Sequence, residues 1–192
     1  KILCDNKFEP QAFKMEYFFH NEVDIPAGKV PLQGELIIPR EAGAVIIFSH
    51  GSGSSRMSPR NRRVAQHLQQ KNFGTLLLDL LTEKEDQVYE NRFDINLLTR
   101  RLTEATQWLE QSSPARQRRI GYFGASTGAA AALVTAARRP EEVAAVVSRG
   151  GRPDPHASAR GDARLLRHDG HPRRRGTRLH DRGRRRRAVG RG

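Results

Sequence analysis

The sequence predicts an α/β fold built on a largely parallel sheet with an antiparallel hairpin at its front, and three observations carry that expectation. Short continuous apolar runs recur at 44–48, 75–81, 119–123 and 143–148, as strands covered on both faces do. Segments with helical apolar spacing lie between them, and parallel strands need such crossovers. Ahead of the first run stand two stretches rich in aromatic and β-branched residues, separated by a turn signal.

Those two stretches, Phe13 to Asp24 and Val30 to Ile38, read as the hairpin, with Ile25-Pro26-Ala27-Gly28-Lys29 as its turn. Ala44 to Phe48 is the first buried strand. A loop of small residues, His50-Gly51-Ser52-Gly53-Ser54-Ser55, follows it. Ser58-Pro59 then opens a helix, serine as cap and proline at its first position, with Val64, Ala65 and Leu68 as the apolar stripe and an end before Gly74. Thr75 to Leu81 is the next strand, with Asp79 near its C-terminal end. After a polar loop, Asp94 caps a long helix whose Ile95, Leu98, Leu102, Ala105 and Leu109 share one face, and Ser113-Pro114 closes it. Arg119 to Phe123 is a strand, Ser126 to Arg138 an alanine-rich helix and Val143 to Ser148 a further strand.

A chain of 192 residues suits one core rather than two. Its net charge of +13 is unevenly spread: residues 152–192 hold 14 of the 34 basic and 4 of the 21 acidic side chains, which leaves 1–151 at only +3. The expected organisation is therefore a near-neutral folded core over 1–151 and an Arg/Gly/Pro-rich tail over 152–192. No apolar run of about 18 residues is present to cross a bilayer. The single cysteine, Cys4, excludes an intrachain disulfide, and no signal sequence is visible, so a reducing cytoplasm is the expected compartment. Lys1 rather than Met opens the chain, which is consistent with a fragment and leaves a preceding targeting segment open.

The chemistry concentrates at Gly124-Ala125-Ser126-Thr127-Gly128, a Gly-x-Ser-x-Gly pattern between an expected strand and an expected helix. A sharp strand-to-helix turn strains the serine backbone and leaves little room beside it, so Gly124 and Gly128 answer a steric demand. The turn holds the hydroxyl out at the C-terminal edge of the sheet, before a helix N-terminus whose free N–H groups suit a developing oxyanion. Ser126 is thus the expected nucleophile and the Thr127 N–H the first oxyanion donor. The loop bearing Gly51 and Gly53 would bring the second, from Ser52, with Gly51 as the fallback. His50 is read as a brace for its turn rather than a base, Asp79 as an anchor for a neighbouring loop, and Arg56, Arg60, Arg62 and Arg63 as a solvated helix start rather than an anion contact.

The hairpin, the His50–Ser55 loop with Ser58-Pro59-Arg60-Asn61-Arg62 after it, Leu77 to Thr82, the Ser126 turn and Ser148-Arg149-Gly150-Gly151-Arg152-Pro153-Asp154 resemble α/β-hydrolases of the dienelactone hydrolase type over about residues 10–154. The dienelactone hydrolases proper carry cysteine at the turn where this chain has serine, so the resemblance does not imply a lactone substrate. It implies a hydrolase of ester, thioester or related acyl bonds on a small-molecule substrate, acting through an acyl-enzyme with neither metal nor organic cofactor.

In this type the acid and then the histidine follow the serine, each after a further strand. Past Arg152 there is no Ile, Phe, Tyr, Trp or Met to build one. The fold is accordingly expected to stop short of its last strands, and Asp154, Asp162, Asp169, Asp181, His156, His168, His171 and His180 receive no role. Three explanations of the tail stay open. Its vocabulary is that of GC-rich DNA read out of frame; it is a genuine basic arm binding nucleic acid through phosphate charge; or the domain is a non-catalytic scaffold or is completed by a partner. Oligomeric state is not legible.

Overall fold

The computed structural model describes residues 16–111 and 114–150. Its elements, in chain order, are β1 (Tyr17–Ala27), β2 (Val30–Pro39), β3 (Ala44–Ser49), α1 (Pro59–Gln69), β4 (Gly74–Leu78), α2 (Glu83–Asp86), a 3₁₀ turn (Tyr89–Phe93), α3 (Ile95–Gln111), β5 (Arg119–Ala125), α4 (Thr127–Arg138) and β6 (Val143–Arg149). The strands form a sheet in the order β1-β2-β4-β3-β5-β6. β1, β2 and β4 are antiparallel neighbours, and β4, β3, β5 and β6 run parallel. This is the α/β architecture expected, with the hairpin at one edge. Residues 151–192, and with them the tail and the expected loss of later strands, lie outside the described residues.

Burial explains why the apolar runs became inner strands. Val45, Ile47, Leu76, Leu78, Ile120, Tyr122 and Val146 enter one core with Leu98, Leu102, Ala105 and Leu109 of α3 and Ala131, Ala132 and Ala136 of α4. Phe48 and Leu77 point to the opposite face, where Ala65, Val64 and Leu68 of α1 cover them. The sheet is sandwiched between helices, and the 3.6-residue stripes read from the sequence are the surfaces that meet it.

Three boundaries differ from the sequence reading. β1 begins at Tyr17, with the expected start at Phe13 outside the described residues, and it runs on to Ala27. The turn shrinks to Gly28 and Lys29, with Gly28 at φ 60°. Ile25 and Ala27 are fully buried, which holds the strand together past Pro26. β4 stops at Leu78; the Asp79 N–H still bonds Gln33 O (2.9 Å), one step further along the β2 register, and Leu80 and Leu81 continue into the core as a loop. The polar loop after it contains α2, started by a capping box. The Thr82 hydroxyl accepts from the Glu85 N–H (3.2 Å), and Glu85 Oε2 accepts from the Thr82 N–H (2.9 Å).

α2 also carries the partner of a buried cation. Arg101 on α3 is largely buried; its guanidinium donates to Ala27 O and to Glu85 Oε1 (2.7 Å), so one side chain fastens the end of β1 and the loop after β4 to α3. Burial alone pushes the Glu85 carboxyl up, but the Thr82 N–H and hydroxyl and the Arg101 guanidinium outweigh it and hold the group below its usual range.

Candidate active site

Between the last residue of β5 and the first of α4 stands Ser126 alone, at φ 51° and ψ −122°. A side-chain-bearing residue pays about 1–3 kcal/mol for such a backbone, so its surroundings must impose it. They do so from two strands and from the helix that follows. The Ser126 N–H donates to Arg149 O at the end of β6 (3.1 Å), and its carbonyl accepts from the Ala129 and Ala130 N–H groups (3.0 and 3.2 Å). The Ser49 hydroxyl at the end of β3 donates to Gly128 O (2.8 Å).

Both motif glycines are required by space. A Cβ on Gly124 would lie 2.6 Å from Ala129 Cα, and one on Gly128 would lie 2.2 Å from the carbonyl oxygens of both Ser49 and His50. These are main-chain atoms fixed in the sheet and helix, so no rotamer change relieves them. The Ser126 side chain, by contrast, is exposed, and no described residue hydrogen-bonds it.

The loop after β3 closes on this turn. A Cβ on Gly51 would meet Ser126 Cβ at 2.9 Å and Ala125 O at 3.0 Å, so a bare backbone passes directly beside the serine. Gly53, at φ 69°, lets the loop reverse. The Ser52 N–H donates to the Thr127 hydroxyl oxygen (3.0 Å), joining two segments 75 residues apart. The Thr127 N–H itself is one of the first amides of α4, which a helix leaves without internal partners. The four residues singled out for the chemistry and its oxyanion donors, Ser126, Thr127, Ser52 and Gly51, therefore meet in one place.

His50 and Asp79 hold this loop from behind. The Leu80 N–H can only donate, so the His50 Nε2 at 3.3 Å accepts and Nδ1 carries the proton, which it gives to Gly51 O (3.0 Å). Both ring nitrogens are thus committed to backbone. Asp79 Oδ1 accepts from the Arg56 N–H (2.7 Å), and its Oδ2 lies 3.6 Å from the Arg56 guanidinium. Each has the bracing or anchoring role that the sequence suggested.

The arginine cluster divides in two. Arg56 faces Asp79 and Glu22, and Arg62 faces Glu35. Arg60 and Arg63 instead line a void of about 500 Å³ that opens over Ser126, together with Ser58, Asn61 and Arg149. Both are exposed, as the reading of a solvated helix start expects, and they differ from Arg56 and Arg62 in bordering this opening. Arg149 was missed, because only the sheet brings the end of β6 opposite the first turn of α1. Among the described residues no cluster of three or more His, Cys, Asp or Glu side chains is placed to hold a metal, and no helix is long and apolar enough to cross a membrane.

Strand order, crossover helices and the strained serine at the end of β5 define the α/β-hydrolase class. Within it, the chain is 53% identical to the crystallised dienelactone hydrolase of Anabaena variabilis, a match that covers 72% of this chain and 67% of that one with a TM-score of 0.70. The chain belongs to the dienelactone hydrolase family. The esterase Est1E of Butyrivibrio proteoclasticus (16% identity, 66% of this chain and 49% of that one, TM-score 0.56) and the dienelactone hydrolase-like promiscuous phosphotriesterase P91 from metagenomic libraries (18%, 78% and 67%, TM-score 0.61) share the fold. Curated relatives from two strains of Mycobacterium tuberculosis are 53% identical over 133 residues and carry a provisional name, phosphoribosyl transferase. The match takes in 69% of this chain but only 30% of those relatives. No family model matches.

Proposed function

We propose that this chain bears the nucleophile half of a cytoplasmic serine hydrolase that cleaves ester, thioester or related acyl bonds of small molecules through an acyl-enzyme. The observation that carries the reading is the strained Ser126 backbone at φ 51°, which holds an exposed hydroxyl, unpartnered among the described residues, where β5 turns into α4. Strain kept at one residue by hydrogen bonds from a neighbouring strand and the following helix has a use when that residue must be presented to a substrate. In this reading the Ser126 Oγ attacks the carbonyl carbon. The developing oxyanion is met by the Thr127 N–H and by the Ser52 N–H, which it shares with the Thr127 hydroxyl in a three-centre bond; Gly51 is the fallback donor.

The proton on Ser126 needs an acceptor, and among the described histidines none hydrogen-bonds it. His50 is occupied, His20 is paired with Glu35 on the hairpin, and His67 is in the last turn of α1. The acid and base are therefore assigned to no described residue. The name of the mycobacterial relatives does not favour glycosyl transfer here, because this chain matches under a third of their length.

The test is hydrolysis of p-nitrophenyl acetate by the full chain against a Ser126→Ala control, with mass spectrometry for an acyl adduct on Ser126. A rate above the control with an adduct supports the reading. Equal rates and no adduct would leave a non-catalytic scaffold.

A further inference from the structure

Among the described residues, the void over Ser126 is lined by three arginines, Arg60, Arg63 and Arg149, and by no Asp or Glu. Arg60 and Arg63 are three residues apart on α1 and so share one face of its first turns, while Arg149 reaches the same void from the end of β6. Among the described residues none of the three has an ion-pair partner, whereas Arg56, Arg62, Arg92, Arg101 and Arg139 all do. Three like charges gathered around one opening repel one another, and an anion seated among them removes that repulsion. The first turn of α1 adds the positive end of an 11-residue helix, and the Ser58 hydroxyl, which accepts from the Asn61 N–H (3.5 Å), keeps its own proton free to donate.

We infer that Arg60, Arg63 and Arg149 form a subsite for a phosphate monoester group, so that the acyl substrate of this site carries a phosphate beside the bond that Ser126 attacks. A carboxylate brings one charge and two oxygens to three cations. A phosphate monoester brings close to two charges and three equivalent acceptors, and guanidinium forks match its geometry. The volume of about 500 Å³ leaves room for both the phosphate and a short acyl chain. The word substrate rests on the hydrolase reading; the binding of phosphate does not.

The probe is inorganic phosphate, added to the ¹⁵N-labelled full chain, with acetate at equal ionic strength as the comparison. Following individual amides keeps the basic residues of 152–192 out of the readout. Phosphate is expected to shift the Asn61, Ser126 and Arg149 amides saturably, acetate to shift them at least about tenfold more weakly, and an Arg60→Gln/Arg63→Gln double variant to lose about tenfold or more in phosphate affinity. Arg100→Gln, on α3, serves as the charge control and is expected to bind as the parent does. Absence of saturable shifts at those three amides overturns the inference, and so does acetate binding as tightly as phosphate. Phosphate binding without Ser126-dependent ester hydrolysis removes the hydrolase reading and keeps the subsite. Hydrolysis without phosphate binding does the reverse.

Discussion

The main-chain N–H of Ser52 donates to the side-chain oxygen of Thr127 at 3.0 Å, so the residue next to Ser126 holds the loop that passes over it. The bond fixes the distance between two backbone amides proposed to act on the same oxyanion. Thr127→Val keeps the shape and removes the acceptor. We expect it to lower kcat on p-nitrophenyl acetate about tenfold with little change in melting temperature, because Ser52 is exposed and water replaces the lost partner. Thr127→Ser should restore the rate. A Val variant as fast as the parent would remove the clamp from the mechanism.

The two loop and turn glycines separate clash from strain. Gly128→Ala drives a Cβ against the Ser49 and His50 carbonyls and is expected to cost about 3 kcal/mol or more. At Gly53 a Cβ meets nothing within 4 Å, and only the positive φ opposes it, so Gly53→Ala should cost about 1 kcal/mol. Urea unfolding of both variants checks the order.

Replacing Ser126 itself tests whether its backbone is strained. Glycine accepts φ 51° freely, alanine does not, and neither has a hydroxyl. Ser126→Gly should therefore be more stable than Ser126→Ala by about 1 kcal/mol once the greater freedom of unfolded glycine is subtracted. Equal unfolding midpoints would mean that the turn relaxes in the alanine variant.

Glu85 predicts a pH dependence. Its carboxyl is held below its usual range by the Thr82 groups and Arg101, so it favours the folded state fully above the ordinary value of 4.5. That contribution is lost as pH falls through the folded-state value. Glu85→Gln should therefore be less stable than the parent at neutral pH, by about 2 kcal/mol, and the gap should narrow below about pH 4. Thermal unfolding from pH 3 to pH 7 measures it. A gap that is constant across the range would show that Arg101 does not depend on the charge.

The sheet was legible because its inner strands are covered on both faces and must be apolar throughout, as 44–48 and 119–123 are. The hairpin turn was misjudged because Pro26 normally breaks a strand. Here it pairs with Pro31, β1 lies at the sheet edge, and the β2 ladder with β4 begins only at Gly34, so neither missing N–H leaves a gap. The Thr82–Glu85 capping box was present as Thr-x-x-Glu but preceded no apolar run, and the segment read as loop.

The candidate site divides along similar lines. Ser126 and its glycines form a local pattern whose sterics any chain with this turn must satisfy, so five letters and two flanking elements were enough. Arg60, Arg63 and Arg149 carry no such local signature. An arginine on the outer face of a helix start looks the same whether it meets water or lines a cavity, and the difference depends on a strand that arrives 86 positions after Arg63.

The Ser126 side chain is open to solvent, yet its N–H is bonded to Arg149 O and its two flanking glycines are wedged against the ends of β3 and the start of α4. Freeing that amide means separating β5 from β6 and lifting α4 off β3, which is most of the work of unfolding the domain. Deuterium should consequently enter the Ser126 amide about as slowly as it enters the middle of β5. The residue most accessible to a reagent would then be among the last to yield its backbone to water.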